Sequence, residues 1–224
     1  LKGKYIENMK DIVIVGSGGC AREVKWLIEE CNCDHPQWKI LGWISRERPG
    51  TMISDLPVLG NDKWLLNCNE PIYAAVSVGD GSLRKKIVNL YEKNENILFP
   101  NIISPTVRMS DTVRIGKGCI IAAQNIFTVD ITIGDFFVCN SFCTVGHDTI
   151  IKDYVSIFSG AHISGNVTLN DGVSIGTGAN IIQGITVGEN SFIGAGAAVV
   201  RDIPAFCTAA GVPARPLKKT GERV

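Results

Sequence analysis

From Pro105 the chain reads PTVRMS, DTVRIG, KGCIIA, AQNIFT, VDITIG, DFFVCN, SFCTVG, HDTIIK, DYVSIF, SGAHIS, GNVTLN, DGVSIG, TGANII, QGITVG, ENSFIG and AGAAVV. These are sixteen hexads over residues 105–200 without one insertion. The fifth position runs Met109, Ile115, Ile121, Phe127, Ile133, Cys139, Val145, Ile151, Ile157, Ile163, Leu169, Ile175, Ile181, Val187, Ile193, Val199; nine of these are Ile and three are Val. Apolar residues at positions 3 and 5 with a polar residue between them are strand alternation. Gly, Asn and Asp gather at positions 6, 1 and 2, where turns need φ > 0 or local side-chain bonding. A unit that is half strand and half turn cannot fold alone, but stacked units bury a continuous aliphatic column. Three hexads per coil make a triangular prism, in which residues 18 apart stack on one face. The second half is therefore read as a β-solenoid of roughly five coils.

Composition agrees with two halves of different grammar. The chain has 224 residues, and all four tryptophans (Trp26, Trp38, Trp43, Trp64) precede the repeat. Lys plus Arg and Asp plus Glu number 22 each, so the formal net charge is zero. The balance also holds locally, 13 against 13 over residues 1–100 and 9 against 9 over residues 101–224. A nucleic-acid binder should carry a basic face, and none is indicated. A polybasic membrane anchor is excluded in the same way. No apolar run is long enough to span a bilayer. The first residues lack the apolar core of a signal peptide, so a cytoplasmic protein is expected. Eight cysteines occur without a CxxC pair or zinc spacing, and they read as buried reduced thiols.

The first half reads as α/β. Asp11–Val15 is a buried-strand pattern, followed by the turn Gly16-Ser-Gly-Gly-Cys-Ala21 and an amphipathic helix from Arg22 to about Cys31. Strand, glycine turn and helix together give Gly16-x-Gly18-x-x-Ala21 its meaning. The glycines let backbone approach a phosphate, and the helix N-terminus offers free N–H groups. A second strand over Trp38–Ser45, a helix around Asp62–Cys68, a strand over Ile72–Val78 and a helix over Arg84–Lys93 complete a small parallel sheet. A dinucleotide site would place an acid at the end of the second strand. Ser45 stands there, and Asp34 falls in the Cys33–Pro36 turn, which argues against an NAD-dependent dehydrogenase. The domains expected are 1–100, a Rossmann-like sugar-nucleotide-binding domain, and 101–224, the solenoid.

The aliphatic hexads resemble the hexapeptide-repeat acyltransferases. That resemblance implies a left-handed parallel β-helix and a homotrimer with active sites between neighbouring prisms. A short Rossmann-like half with GSGGCAREV (Gly16–Val24), then PVLG (Pro57–Gly60), VGDGSLRKKI (Val78–Ile87), His147-Asp148, Gly160-Ala161, Gly165-Asn166-Val167, IGAGAAVV (Ile193–Val200) and AGVPA (Ala210–Ala214), narrows it. Together these motifs resemble the NeuD/PglD group of sugar acyltransferases from about Lys10 to about Pro216. The resemblance implies an acetyl-CoA-dependent N-acetyltransferase acting on the amino group of a nucleotide-linked 4-amino-4,6-dideoxy sugar, with no metal.

Three histidines exist, His35, His147 and His162. His147 opens a hexad at a turn, and Asp148 follows it. Acyl transfer from a thioester needs a base for the proton of the attacking amine, and imidazole titrates near working pH. An adjacent carboxylate fixes the tautomer and stabilises the imidazolium. The resemblance makes His147 the base, Asp148 its partner, and Gly165, 18 residues on, the oxyanion donor through its N–H. It also implies a nucleotide site at Gly18, Gly19, Cys20, Gly79 and Asp80. Ser45 and Arg46 stand where relatives carry paired acids. Asn140 matches a family position near the substrate, and Ser156 stands where the group commonly carries a second histidine. His162 is a candidate to replace that lost group from a shifted position, on the acyl-CoA side. The remaining acyl-CoA contacts implied are Gly165, Gly194, Ala195, Gly211, Pro213, Ala214 and Arg215, with Lys218 and Lys219 near the phosphates.

Two other readings stand beside this one. One is a sugar O-acetyltransferase, for a sialic-acid-like or other glycan precursor; the other is a non-catalytic solenoid scaffold. A zinc hydrolase on the same repeat would need three histidines from adjacent coils, and only His147 and His162 lie in the repeat.

Overall fold

The computed structural model describes residues 9–219. By internal contacts the chain divides into two units. One comprises the residues up to Gly79 together with Leu83–Pro105; the other comprises Asp80–Ser82 and the chain from Thr106 onward.

The first unit is built on β1 (Lys10–Val15), α1 (Gly19–Asp34), β2 (Trp38–Ile44), β3 (Met52–Ile53), β4 (Leu56–Gly60), α2 (Asp62–Leu66), β5 (Ile72–Val76), α3 (Gly81–Tyr91) from Leu83 onward, and β6 (Ile97–Leu98). The sheet order is β3-β4-β2-β1-β5-β6. All pairs are parallel except the β3–β4 hairpin. Its two loop residues, Ser54 and Asp55, both have positive φ (45° and 65°), the geometry of a tight hairpin turn. The central strand β1 is buried as a near-continuous run, Ile12–Val15, as a parallel strand covered on both faces must be. Trp43 of β2 is fully buried, and its indole N–H donates to the Ile53 carbonyl at 2.9 Å, tying the hairpin to the sheet. Of the cysteines expected to be buried, Cys119, Cys139, Cys143 and Cys207 are; Cys20, Cys31 and Cys68 are half-buried, and Cys33 is exposed.

The second unit is a parallel β-solenoid. Sixteen two-residue strands run from Arg108–Met109 to Ala198–Val199, one per hexad, at positions 4 and 5. They fall on three faces with an 18-residue register. One face stacks the strands starting at 108, 126, 144, 162, 180 and 198. Another stacks 114, 132, 150, 168 and 186. The third stacks 120, 138, 156, 174 and 192, then Cys207–Ala210 and the antiparallel Arg215–Lys219. From Ile121 to Val199 every fifth-position side chain is at most 2% exposed, which is the aliphatic column. Third-position residues fill the rest. The polar ones among them are bonded inside the prism: Asn125 donates to the Ala122 carbonyl and accepts from Cys143 N–H, and the Thr149 hydroxyl donates to the Ser164 carbonyl. The corners use left-handed residues in three columns, for example Asp130, Asp148, Asn166 and Gly184. Among the described residues no helix is long and apolar enough to cross a membrane.

Candidate active site

The solenoid corner that follows the face carrying Thr144 and His162 brings His147, Asp148 and Gly165 together. Hydrogen bonding between coils sets their height: Asp148 N–H donates to Val129 O at 3.2 Å, and Asn166 N–H donates to His147 O at 2.8 Å. Asp148 has φ 58°, a left-handed turn that Asp tolerates. That turn folds its carboxylate back onto the preceding ring, and Oδ2 lies 2.7 Å from His147 Nδ1. Both side chains are about half exposed, so the pair is open to ligands rather than part of the core.

Gly165 stands directly beneath the imidazole. A Cβ at that position would lie 2.6 Å from both Cε1 and Nε2 of His147. The ring therefore rests on bare backbone, with its Nε2 edge at the Gly165 Cα. Gly146 extends the requirement, since a Cβ there would lie 2.5 Å from the Gly165 nitrogen. Among the described residues the Gly165 N–H has no hydrogen-bond acceptor. An imidazole with its Nδ1 held by a carboxylate, its Nε2 open, and a backbone donor beside it suits proton abstraction coupled to oxyanion stabilisation. On the same corner, one and two coils earlier, a groove of about 450 Å³ is lined by Asp111, Thr112, Arg114, Asp130 and Thr132.

The other solenoid candidates lie at varying distances along the coil. His162 is exposed on the adjoining face, three residues before Gly165, with Nδ1 2.9 Å from the Thr144 hydroxyl. Thr144 had no signal in the sequence beyond standing 18 residues before His162. Asn140 is half-buried at the previous corner, separated from His147 by the strand Thr144–Val145, and its carbonyl accepts from the Cys143 thiol at 3.3 Å. Ser156 is fully buried and pairs in register with Val138 and Ser174, two faces further along the coil from His147. Gly194 donates to Ala209 O at 2.8 Å, and a Cβ there would stand 2.8 Å from the Ala210 methyl, so small residues let these two backbone segments approach. Ala195, Gly211 (φ 96°) and Pro213 are exposed, while Ala214 is buried and donates its N–H to Ala198 O. Arg215 is exposed and bonds the Ala214 carbonyl; the side chains of Lys218 and Lys219 lie outside the described residues.

In the first unit, α1 begins at Gly19, three residues before the sequence suggests, with Gly18 as an extended N-cap that offers no side-chain cap. A Cβ on Gly18 or Gly19 would meet nothing within 4 Å, so the space ahead of the helix N-terminus is open. No acidic residue occupies the first turn. The turn suits an anion. Cys20 is half-buried. Burial pushes its thiol up, Glu23 adds to this, and the Arg84 guanidinium opposes both. Ser45 follows β2 and its hydroxyl accepts the Glu47 N–H at 3.2 Å, while Arg46 is exposed. Gly79 is half-buried and Asp80 exposed, at the turn after β5. No group of three or more potential metal ligands occurs among the described residues.

Comparison with known proteins adds to this picture. The family model for the PglD N-terminal domain matches residues 11–91. The chain is 29% identical over 164 residues to the GDP-perosamine N-acetyltransferase of Escherichia coli O157:H7, covering 69% of this chain and 70% of that protein. It is similar to the acetyltransferase domain of PglB from Neisseria gonorrhoeae FA1090, solved in complex with acetyl coenzyme A. The identity is 30%, the TM-score is 0.86, and the match covers 94% of this chain and 100% of that one. It is also similar to a mutant of perosamine N-acetyltransferase from Caulobacter crescentus in complex with CoA and GDP-perosamine. There the identity is 27%, the TM-score is 0.84, and coverage is 93% and 97%.

Proposed function

The chain belongs to the NeuD/PglD group of hexapeptide-repeat sugar acyltransferases, and we propose that it transfers the acetyl group of acetyl-CoA to the amino group of a nucleotide-linked 4-amino sugar. The observation that carries this reading is the corner itself. His147 Nδ1 is engaged by Asp148 at 2.7 Å, and the Nε2 edge rests on Gly165.

With Nδ1–H donating to the Asp148 carboxylate, the neutral ring leaves its Nε2 lone pair unprotonated. The sugar amine nitrogen attacks the thioester carbonyl carbon, and its proton passes to Nε2. The negative charge on the former carbonyl oxygen is met by the Gly165 N–H. Collapse breaks the carbon–sulfur bond, and the imidazolium returns the proton to the departing thiolate. Asp148 holds the ring in place and balances its charge without itself taking the proton. His162, the small-residue stretch Gly194–Ala195 and the segment Gly211–Arg215 are assigned to acetyl-CoA. The glycine turn Gly18–Cys20, with Ser45, Arg46 and Gly79–Asp80, is assigned to the nucleotide. Asn140 is assigned to the sugar side; Ser156, fully buried and two faces further along the coil from His147, does not reach the substrate. Relatives with CoA and GDP-perosamine bound support the two substrate classes. We further infer a homotrimer, to be read by light scattering. A cytoplasmic location accords with eight unpaired thiols.

The test is release of free thiol from acetyl-CoA in the presence of UDP-, dTDP- and GDP-linked 4-amino sugars. The amide product is identified by its resistance to hydroxylamine, which cleaves an O-acetyl ester. Turnover with one of these sugars that disappears in His147→Ala is expected. No turnover with any of them, or turnover that survives His147→Ala, overturns the reading.

A further inference from the structure

Arg84 is the only fully buried charged side chain among the described residues. Arginine is rarely buried without partners, because an uncompensated interior charge is costly. Here Nη1 donates to the carbonyl of Val78 at 2.5 Å and to that of Gly79 at 3.2 Å. These two carbonyls belong to the turn that leaves β5. The neighbouring turn, leaving β1, is tied to the same place: the Ser77 hydroxyl donates to Val15 O at 2.5 Å, and a Cβ on Gly16 would stand 3.3 Å from that hydroxyl. The guanidinium charge also acts on the Cys20 thiol at the start of α1, lowering its pKa against the larger effect of burial.

We propose that Arg84 is a positioning residue for the diphosphate of the nucleotide substrate: its buried guanidinium holds the turn after β5 in fixed register with the glycine turn after β1. The C=O and N–H of a peptide point in opposite directions, so drawing two successive carbonyls onto one guanidinium orients both peptide planes. A phosphate site made of backbone donors depends on that orientation, since backbone cannot be re-aimed by a rotamer change. Both bonds come from one nitrogen, Nη1, whose N–H groups are fixed in the guanidinium plane, whereas an ammonium rotates freely on a flexible stem. The side chain does not itself touch the ligand, because it has no exposed surface.

This inference rests on the nucleotide reading of the first unit, and the experiment separates the two. UDP, GDP and dTDP are first titrated into the wild-type protein. Steady-state constants are then measured for Arg84→Lys and Arg84→Met with the preferred nucleotide amino sugar and with acetyl-CoA. Site-resolved alkylation of Cys20 is followed against pH by mass spectrometry. Arg84→Lys keeps the charge and loses the fixed planar donors, so KM for the sugar nucleotide should rise about tenfold while KM for acetyl-CoA stays put. Arg84→Met should raise the sugar KM further and shift the Cys20 alkylation profile to higher pH, which Arg84→Lys should not. If the wild type binds no nucleotide, the nucleotide reading itself fails. If it binds and a folded Arg84→Lys keeps its sugar KM, this inference alone is overturned. A rise in both KM values together also overturns it, since that marks a merely structural residue.

Discussion

At one corner of the solenoid Lys117, Asp135, Asp153 and Asp171 stack 18 residues apart; at another Val129, His147, Gly165 and Gln183 do the same. Both corners use the same turn, with a left-handed residue next in chain: Phe136 and Tyr154 at the first, Asp148 and Asn166 at the second. The first corner closes on itself. Lys117 N–H donates to the Asp135 carboxylate at 2.9 Å, Asp135 N–H to Asp153 at 2.8 Å, and Asp153 N–H to Asp171 at 3.1 Å. Gly116 and Gly134 make room for those carboxylates, which a Cβ at either position would strike. At the second corner the N–H groups of the stacked residues His147 and Gly165 find no such acceptor among the described residues. Its carboxylate, Asp148, turns instead to the ring of His147, and its glycines let ring and backbone of adjacent coils come together. One scaffold position thus serves either as a rung or as a site. What decides is whether a side chain from the next coil consumes the backbone donor.

The sharpest way to break this contrast is His147→Ala. A positioned general base contributes about 10²–10⁴-fold, so kcat for thiol release should fall by about three orders of magnitude. The half-exposed side chain carries little of the fold, so the thermal midpoint should hold, with a stability change within about 0.5 kcal/mol. A loss of activity matched by a loss of folded protein would place His147 with the structural corner instead.

Gly165→Ala comes next. Its φ lies outside the left-handed range, so alanine is allowed by the backbone and only the imidazole objects, at 2.6 Å. Displacing the ring by a fraction of an ångström to an ångström should lower kcat by up to about 10²-fold. The coil should remain intact by circular dichroism. An alanine variant with full kcat would show that the close approach of ring and backbone is incidental. Asp148→Asn should cost less, about tenfold, because the pair is half exposed and solvent screens it. Asparagine accepts the left-handed turn, so the backbone should not register the change.

How much of this contrast can be read before any coordinates depends on what kind of interaction carries it. The period of six is legible because every coil must bury its fifth residue, and burial leaves a mark at every repeat from Ile121 to Val199. His147-Asp148 is legible because an imidazole beside a carboxylate on a turn is chemistry without a packing duty. The aspartate ladder is also present in the sequence, as Asp135, Asp153 and Asp171. Its role is not legible, because an aspartate at a solenoid turn is equally a solvated one. The β3–β4 hairpin escapes because Pro57 argues against a strand and Ser54-Asp55 is a weak turn signal compared with Asn-Gly. Burial of Ser156 and Arg84 escapes for a different reason. Polarity predicts exposure, and only tertiary partners reverse it. Helix ends shift for a local reason. α1 starts at Gly19 because the Gly18 carbonyl already accepts the Arg22 N–H, while α2 stops at Leu66 before a non-helical Asn67 cap.

The smallest effect belongs to the closed corner. Asp153→Ala removes the acceptor for Asp135 N–H and, with it, the middle rung of the ladder. Asp153 is exposed, so water replaces the lost bond in part, and the cost should be about 0.5 kcal/mol, the low end for an intramolecular hydrogen bond. Asp153→Asn keeps an oxygen in the same place and should recover most of that loss, which isolates the acceptor from the charge. Neither change touches the corner of His147, so kcat should match wild type while urea midpoints order as wild type, Asn, Ala. If Asp153→Ala lowered kcat as Gly165→Ala does, the two corners would be coupled along the coil, and the division between rung and site would fall. If instead Ala and Asn were equally stable, the ladder would be held by the backbone turn alone, and its carboxylates would be passengers on it.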